Sequence, residues 1–274
     1  VENGGDAALF DMDGNTGIVT FKASPDYETP ADAGADNVYN FTVRATQSGM
    51  SISRAVAVTV TDANDAPVLS PSVLNFATQD EDAGMPSGPV GLLVSSLVVN
   101  VSDQDANALK GIAITSMDTT NGFLYYSIDA GVSWSAVGSA SAAHALLLAA
   151  DASSRLYFKP SPNYSGTVTQ AIRFVAWDQT SGTTGTTAAV TTGVAFSSDM
   201  DTVGISIASV NDPAVIGGVS TADITESNVA QTVTGALTVN DIDDPNTFQV
   251  VSSVLGGNGF GRFSLTSAGV WSYA

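Results

Sequence analysis

The sequence contains no cysteine and a single histidine, His144. Without cysteine, the chain has no disulfides and no thiolate metal sites. One histidine cannot build a zinc centre of several imidazoles, nor a Ser-His-Asp network that uses a second histidine. Long apolar runs are also missing, since none reaches the ~18 residues of a membrane-spanning helix. We therefore expect no insertion of this segment into a membrane.

Positive charge is scarce as well. Eight basic residues stand against 27 acidic ones, which gives a formal net charge of -19. A surface of this sign repels nucleic acids and anionic membranes, so neither is expected as a partner. Only 13% of the residues are charged and 44% are apolar, so the chain is expected to fold around a packed core. It starts at Val1 rather than Met, and we expect it to be a piece of a longer or processed chain.

Alternating apolar and polar residues, rather than helical patterns, run through the chain. Examples are residues 38–43, 55–60, 172–177 and 203–207. Short runs of this kind between Gly, Asp, Asn and Ser clusters predict antiparallel strands with one buried face. Many short strands without a βαβ rhythm indicate an all-β protein of immunoglobulin-like Greek-key sandwiches. Residues 142–150, which include His144, are expected to form a strand or a short crossing segment that packs the histidine.

Three further segments are assigned in the same way. Residues 97–101 are expected to form a strand, because four of the five are apolar. Residues 123–128 and 132–134 flank a glycine-containing turn, which predicts a hairpin. Trp177 and Tyr125 lie in alternating runs and are expected in the core.

Two acidic segments that each precede a proline divide the chain. They are Asp62-Ala63-Asn64-Asp65-Ala66-Pro67 and the poorer Ser209-Val210-Asn211-Asp212-Pro213. Because each follows a strand and precedes an apolar pair, we predict three blocks, at residues 1–66, 67–213 and 214–274. Residues 10–23 and 263–274 repeat one hairpin pattern, which predicts the later strands of a sandwich in the first block and the earlier strands in the last. The terminal sandwiches are therefore expected to be incomplete.

The acidic residues predict a cation. Of the 27, 23 are aspartates, and they gather at the predicted ends of strands. In an extended segment the two carboxylates of D-x-D, as in residues 103–105 and 241–243, point to the same side. Carboxylate and carbonyl oxygens are the ligands of Ca²⁺. Aspartates that merely cap turns are the alternative for any single motif.

Several of these motifs carry a family resemblance. In the first block they are Phe10, Asp13, Thr16-Gly17, Asp26-Tyr27-Glu28 and the segment 62–67; in the last they are Ile224-Thr225-Glu226, residues 237–241, 263–265 and 269–273. The first block resembles the later part of a bacterial cadherin-like repeat, and the last resembles the opening half of a VCBS-type repeat. The middle block is similar to the cadherin-like tandem repeats of very large secreted or cell-surface bacterial adhesins.

The resemblance implies calcium between successive domains. At the first junction the implied ligands are Asp26, Glu28, Asp62, Asn64 (through its carbonyl), Asp65, Asp103, Asp105 and Asp178. At the second they are Glu81, Asn211, Asp212, Asp241 and Asp243, and Glu226 is a further candidate near the entry of the last block. Three departures from the repeat pattern, at Gln47, at 162–166 and at Ser209, imply fewer or weaker ions at the second junction.

The implied function is a non-enzymatic, extracellular, calcium-stiffened adhesin segment. Its partners would be neighbouring repeats or copies of itself, and glycans or proteins of a cell surface. A carbohydrate-binding module is one alternative, with Trp134, Trp177, Trp271 or Tyr125-Tyr126 as stacking residues. Another is a filament in which residues 1–66 of one molecule complete residues 214–274 of the next. A glycosidase with paired carboxylates is a third, and the aspartates at junction motifs disfavour it.

Overall fold

A computed structural model describes residues 1–2 and 4–274, and the fold is all-β, as predicted. The first block contains the 3-10 turn η1 (Ala7–Leu9) and the strands β1 (Phe10–Met12), β2 (Val19–Phe21), β3 (Val38–Gln47) and β4 (Met50–Thr59). The last block contains β18 (Val215–Gly218), β19 (Val233–Asn240), β20 (Val251–Leu255), β21 (Arg262–Leu265) and β22 (Val270–Tyr273).

The middle block is the largest. Its elements are β5 (Val68–Leu69), β6 (Leu74–Asn75), β7 (Gln79–Asp80), β8 (Leu92–Leu93), the 3-10 turn η2 (Val94–Leu97), β9 (Val101–Ser102), β10 (Gly111–Met117), β11 (Gly122–Ser127), β12 (Ser135–Ala136), β13 (Ala145–Ala149), β14 (Arg155–Pro160), β15 (Gly166–Trp177), β16 (Thr187–Ala188) and β17 (Phe196–Ala208). Among the described residues, no helix is long and apolar enough to cross a membrane.

Two sheets pack face to face in the middle block. One has the order β16-β13-β10-β15-β17-β6, with β7 also on β17, and the other has the order β12-β11-β14-β8. Ile112 and Phe174 from the first sheet share one buried core with Leu124 and Phe158 from the second. Alternation along β14 explains this arrangement, because Leu156 and Phe158 point inward while their neighbours point outward. The block is a β-sandwich.

The flanking blocks are thinner. In the first, the pair β1-β2 and the pair β3-β4 enclose a small aromatic core of Phe10, Phe21, Tyr39 and Phe41. In the last, a single sheet with the order β18-β19-β22-β21-β20 carries an apolar groove lined by Leu237, Phe263 and Trp271, among others. The repeated segments form matching hairpins, since Phe10 pairs with Phe21 in one and Phe263 with Tyr273 in the other.

The prediction of a strand at residues 97–101 is wrong for most of its length. Val94, Leu97, Val98 and Val101 are buried, a spacing of three and four that suits a helical turn. The chain therefore forms η2 and only then the two-residue strand β9. Val99, which an alternating strand would bury, is 68% exposed.

Other details differ on a smaller scale. Residues 142–150 do contain a strand, β13, but His144 lies just before it and is exposed rather than packed. The hairpin after β11 returns through β12 and not through residues 132–134, because the Asp129 carboxylate accepts hydrogen bonds from Ser133 N and Oγ and holds those residues in a loop. Trp177 is buried, as predicted, whereas Tyr125 lies half-buried on the outer face.

Candidate metal centre

Three carboxylates converge where the first block meets the middle one. One oxygen from each of Glu28, Asp62 and Asp105 lies within 4.8 Å of the others. Oxygens bound to one Ca²⁺ at ~2.3–2.6 Å are at most ~5 Å apart, so this spacing fits a shared ion. Glu28 belongs to the first block, Asp62 to the segment after β4, and Asp105 to the middle block. An ion held by the three would connect the two blocks.

Two carboxylate oxygens at this junction, one from Asp105 of the group and one from its neighbour Asp103, are buried and have no hydrogen-bond partner among the described residues. They are Oδ2 of Asp103 and Oδ1 of Asp105. The other oxygen of each residue is engaged: Asp105 N donates to Asp103 Oδ1 at 3.0 Å, and Asp65 N donates to Asp105 Oδ2 at 2.9 Å. Burial of an anionic oxygen without a partner is costly. Cations next to these two oxygens would satisfy them, although Asp103 itself lies outside the group of three converging carboxylates.

The linker itself is fastened to the middle block. Asn64 Nδ2 donates to Asp178 Oδ2 at 2.8 Å and to the Val194 carbonyl at 2.7 Å. Asp178 is 3% exposed, and its Oδ1 accepts from Thr180 N and Oγ1. Asp178 therefore meets the linker as expected, while its own oxygens are already hydrogen-bonded.

The local electrostatics match a cation site. Burial raises the pKa of Asp103, and the negative charges of Asp105 and Asp178 add to the rise. Desolvation, followed by repulsion from carboxylates that include Asp62 and Asp105, also raises the pKa of Glu28. These carboxylates repel one another at neutral pH, and a divalent cation would relieve that repulsion.

The second junction repeats the backbone frame of the first. Asp212 N donates to Asp243 Oδ2 at 2.6 Å, as Asp65 N does to Asp105. Asn211 Nδ2 donates to the Asp212 carbonyl, as Asn64 does to that of Asp65. Asp243 N donates to Asp241 Oδ1 at 3.0 Å, which matches the turn at residues 103–105. The two acidic linkers are thus the same structural device.

The second junction nevertheless has a different ligand set. Ser209 Oγ is 3.4 Å from Asp243 Oδ1, and buried Glu81 accepts from Val210 N at 2.7 Å. Within the described residues, no three carboxylates there come as close together as at the first junction. Burial and then the charges of Asp82 and Asp243 raise the pKa of Asp212. Asp82 was not predicted as a ligand from the sequence, although its position beside Glu81 in an acidic triplet is a signal that could have identified it.

Some predicted ligands have other settings. Asp26 Oδ1 accepts from Glu28 N and Thr29 N, so one of its oxygens shapes the turn that presents Glu28. Glu226 is exposed between β18 and β19 and, in the described part of the chain, has no hydrogen bond to either junction. Both D-x-D motifs are turns closed by the first aspartate, not extended segments. One oxygen of each first aspartate is therefore already engaged by backbone N–H groups.

Comparison with protein-family models and with curated proteins finds no match. Among solved structures, the extracellular domain of protocadherin gamma B4 matches with a TM-score of 0.40 at 12% identity, over 97% of this chain and 35% of that chain. An endo-fucoidan hydrolase of glycoside hydrolase family 107 matches with a TM-score of 0.25 at 15% identity, over 99% and 33%. The chain spans about a third of the length of either structure. Similarity at this level assigns it no function.

The raised pKa of Asp103 predicts an unusual pH dependence. A carboxyl whose folded-state pKa is raised contributes stability below its unfolded pKa of ~4 and loses it as the pH rises through the folded value. In chelator, Asp103→Asn should therefore have a higher Tm than the unsubstituted protein at pH 7, and the gap should close towards pH 4. Thermal melts across this range measure it.

Asp129→Asn is the control of opposite sign. Hydrogen bonds, chiefly from the Ser133 hydroxyl, lower the pKa of Asp129 to about 2. Its contribution is present above the unfolded pKa and is lost only as the pH falls through the folded value. This variant should melt below the unsubstituted protein at pH 7. A lower Tm for Asp103→Asn at pH 7 in chelator would contradict the repulsion argument.

Proposed function

We propose that this chain is a calcium-stiffened, non-enzymatic segment of a large secreted or cell-surface bacterial adhesin or matrix protein. The observation that carries the proposal is the first junction, where carboxylates from both blocks and from the linker converge beside two buried, unpartnered oxygens. An ion bound by residues of two neighbouring blocks restricts the motion of one block relative to the other. The role that follows is to extend and stiffen the chain between a surface and a binding domain.

The energy of such a site is sufficient for this role. Ion binding to the folded junction stabilises it by RT ln(1 + [Ca²⁺]/Kd), about 2.7 kcal/mol at a hundredfold excess over Kd. Extracellular calcium modules have affinities of ~10⁻⁴–10⁻³ M, so millimolar calcium is at most a roughly tenfold excess and stabilises the junction by up to about 1.4 kcal/mol per site. Asn64 and Asp65 are already hydrogen-bonded to the middle block. Calcium therefore has only to connect Glu28 of the first block and Asp62 of the linker to that block.

Small-angle X-ray scattering tests the stiffening. Calcium should increase the maximum dimension of the chain and narrow its distribution of shapes, and chelator should reverse both changes. Asp62→Asn should weaken the response, while Asp223→Asn, at an exposed position outside both junctions, should leave it unchanged. Binding by calorimetry without any change in scattering would overturn the stiffening, and no binding at millimolar calcium would overturn the metal site itself.

A further inference from the structure

The outer face of the four-stranded sheet carries a row of aromatic side chains far from the acidic linkers in the chain. Phe123 and Tyr125 point outward from β11, and Tyr157 does so from the paired strand β14. Tyr125 lies directly opposite Tyr157 in the register. Trp134, in the loop before β12, packs edge-on to Tyr157 with ring centroids 6.0 Å apart. Phe123 is 51% exposed, although its strand neighbour Leu124 is buried.

Two rings of this aromatic face, those of Trp134 and Tyr157, are held in place. Trp134 Nε1 donates to the Gly88 carbonyl at 3.3 Å, and Tyr157 Oη donates to the Gly84 carbonyl at 3.2 Å. The loop that presents Trp134 is closed by Asp129, which accepts from Ser127 Oγ and from Ser133. A platform fixed in this way loses little conformational entropy when a ligand binds.

Two of the eight basic residues point to the same side of this sheet. Lys159 lies opposite Phe123, and Arg155 lies two residues from Tyr157 on β14. In the described part of the chain, the ion pairs are Lys22–Asp11 and Arg44–Glu2, so neither cation has an acidic partner. The Nε of Arg155 is buried and has no hydrogen-bond partner. A buried guanidinium N–H without an acceptor indicates that an anion is accepted at Arg155.

We propose that this aromatic face binds an oligosaccharide of the uronic acid class, which carries one carboxylate on each sugar ring. The C–H faces of a sugar ring are apolar and match the negative faces of aromatic rings. The Arg155 guanidinium suits a carboxylate, which accepts two parallel hydrogen bonds from it. A densely charged polymer is disfavoured, because the rest of the surface repels it.

The structure also removes the other aromatic candidates for sugar binding. Trp177 is 1% exposed and Trp271 is 7% exposed, so neither presents a ring to a ligand. Tyr126 points to the opposite side of β11 and packs against the core. The site therefore consists of the outward rings and the two cations.

Titration calorimetry with tetragalacturonate tests the proposal. The titrations are run in chelator because uronates themselves bind calcium, and so the result does not depend on the proposed calcium sites. We expect binding that weakens at least tenfold in Arg155→Gln, in Lys159→Gln and in Tyr125→Ala. Arg173→Gln, which removes one cation from the other sheet, is the matched control and should bind as the unsubstituted protein does.

Four outcomes would overturn the proposal. They are no binding at millimolar tetragalacturonate, an equal loss in Arg173→Gln, equal binding of a neutral galactose tetrasaccharide, and tighter binding of a heparin tetrasaccharide. An equal loss in Arg173→Gln would mean that binding reflects non-specific charge attraction. Equal binding of the neutral sugar would mean that the two cations do not contribute to binding, and tighter binding of heparin would assign the face to sulfated polyanions. Far-ultraviolet circular dichroism checks that each variant is folded. If Arg155→Gln does not fold, Lys159→Gln, which changes a partly exposed residue, still tests the proposal.

Discussion

Asp105→Asn should remove the tightest calcium-binding step while leaving the linker in place. Asparagine keeps an oxygen that can accept the hydrogen bond from Asp65 N, so the contact at 2.9 Å can persist. It replaces the buried, unpartnered Oδ1 with an amide group that cannot bind a cation, and it removes one charge from the three converging carboxylates. We expect affinity at the first junction to fall ~100-fold or more, which corresponds to about 2.7 kcal/mol.

Calorimetric calcium titration measures this loss and also separates the two junctions. The unsubstituted protein should give a tighter step from the first junction and a weaker one from the second, where Ser209 replaces an aspartate. Asp105→Asn should remove only the tighter step, and Asp223→Asn should change neither. If Asp105→Asn changes the tighter affinity by less than threefold, the ion does not sit where the three carboxylates meet.

Phe158→Ala should cost the middle sandwich ~3–5 kcal/mol of unfolding free energy. The Phe158 ring is 0% exposed and lies between the two sheets, with its centroid 6.4 Å from that of Phe76. It also fills the space above Gly122, where an added Cβ would lie 2.4 Å from the ring. Removal of the ring leaves a cavity that the surrounding strands cannot close, because they are tied by sheet hydrogen bonds.

Urea unfolding monitored by tryptophan fluorescence measures this cost. A Trp271→Phe background confines the signal to Trp134 and Trp177, which both belong to the middle block. Phe123→Ala is the matched control, since Phe123 lies on the adjacent strand with its ring on the solvent side. It should cost less than ~1 kcal/mol. A cost below ~1.5 kcal/mol for Phe158→Ala would mean that the two sheets do not share the core described above.

Strand prediction succeeded where apolar residues alternate along a segment. Residues 38–43 lie in β3, with one face on the aromatic core and the other more exposed. Residues 172–177 lie in β15, although Phe174 to Trp177 are buried on both faces of the sheet. It failed at residues 97–101, where consecutive valines fit a strand or a turn equally well and packing decided for a turn. It also placed His144 in the core, although the buried strand begins one residue later. Local pattern alone does not distinguish these cases.

The junction was predicted from motifs, but its chemistry depends on contacts between distant residues. Asp65 meets Asp105 across 40 residues, and Asn64 meets Asp178 across 114. Which oxygen of each carboxylate remains free follows from the turns at residues 103–105 and 241–243, which had been expected to be extended. The aromatic face was predicted only in part: Trp134 and Tyr125 were named as stacking residues, but Phe123 and Tyr157 were not. Alternation shows that Tyr125 faces one side of its sheet, but not which side is the core.

The recurrence of one hydrogen-bonded frame at both linkers has an evolutionary consequence. The middle block receives Asp65 on Asp105 at one end and offers Asn211 and Asp212 at the other. The linker that leaves the middle block therefore makes the same backbone hydrogen bond as the linker that enters it. A gene duplication of residues 67–213 would therefore create a boundary whose hydrogen-bonded frame already fits, with the poorer ligand set of the linker that contains Ser209.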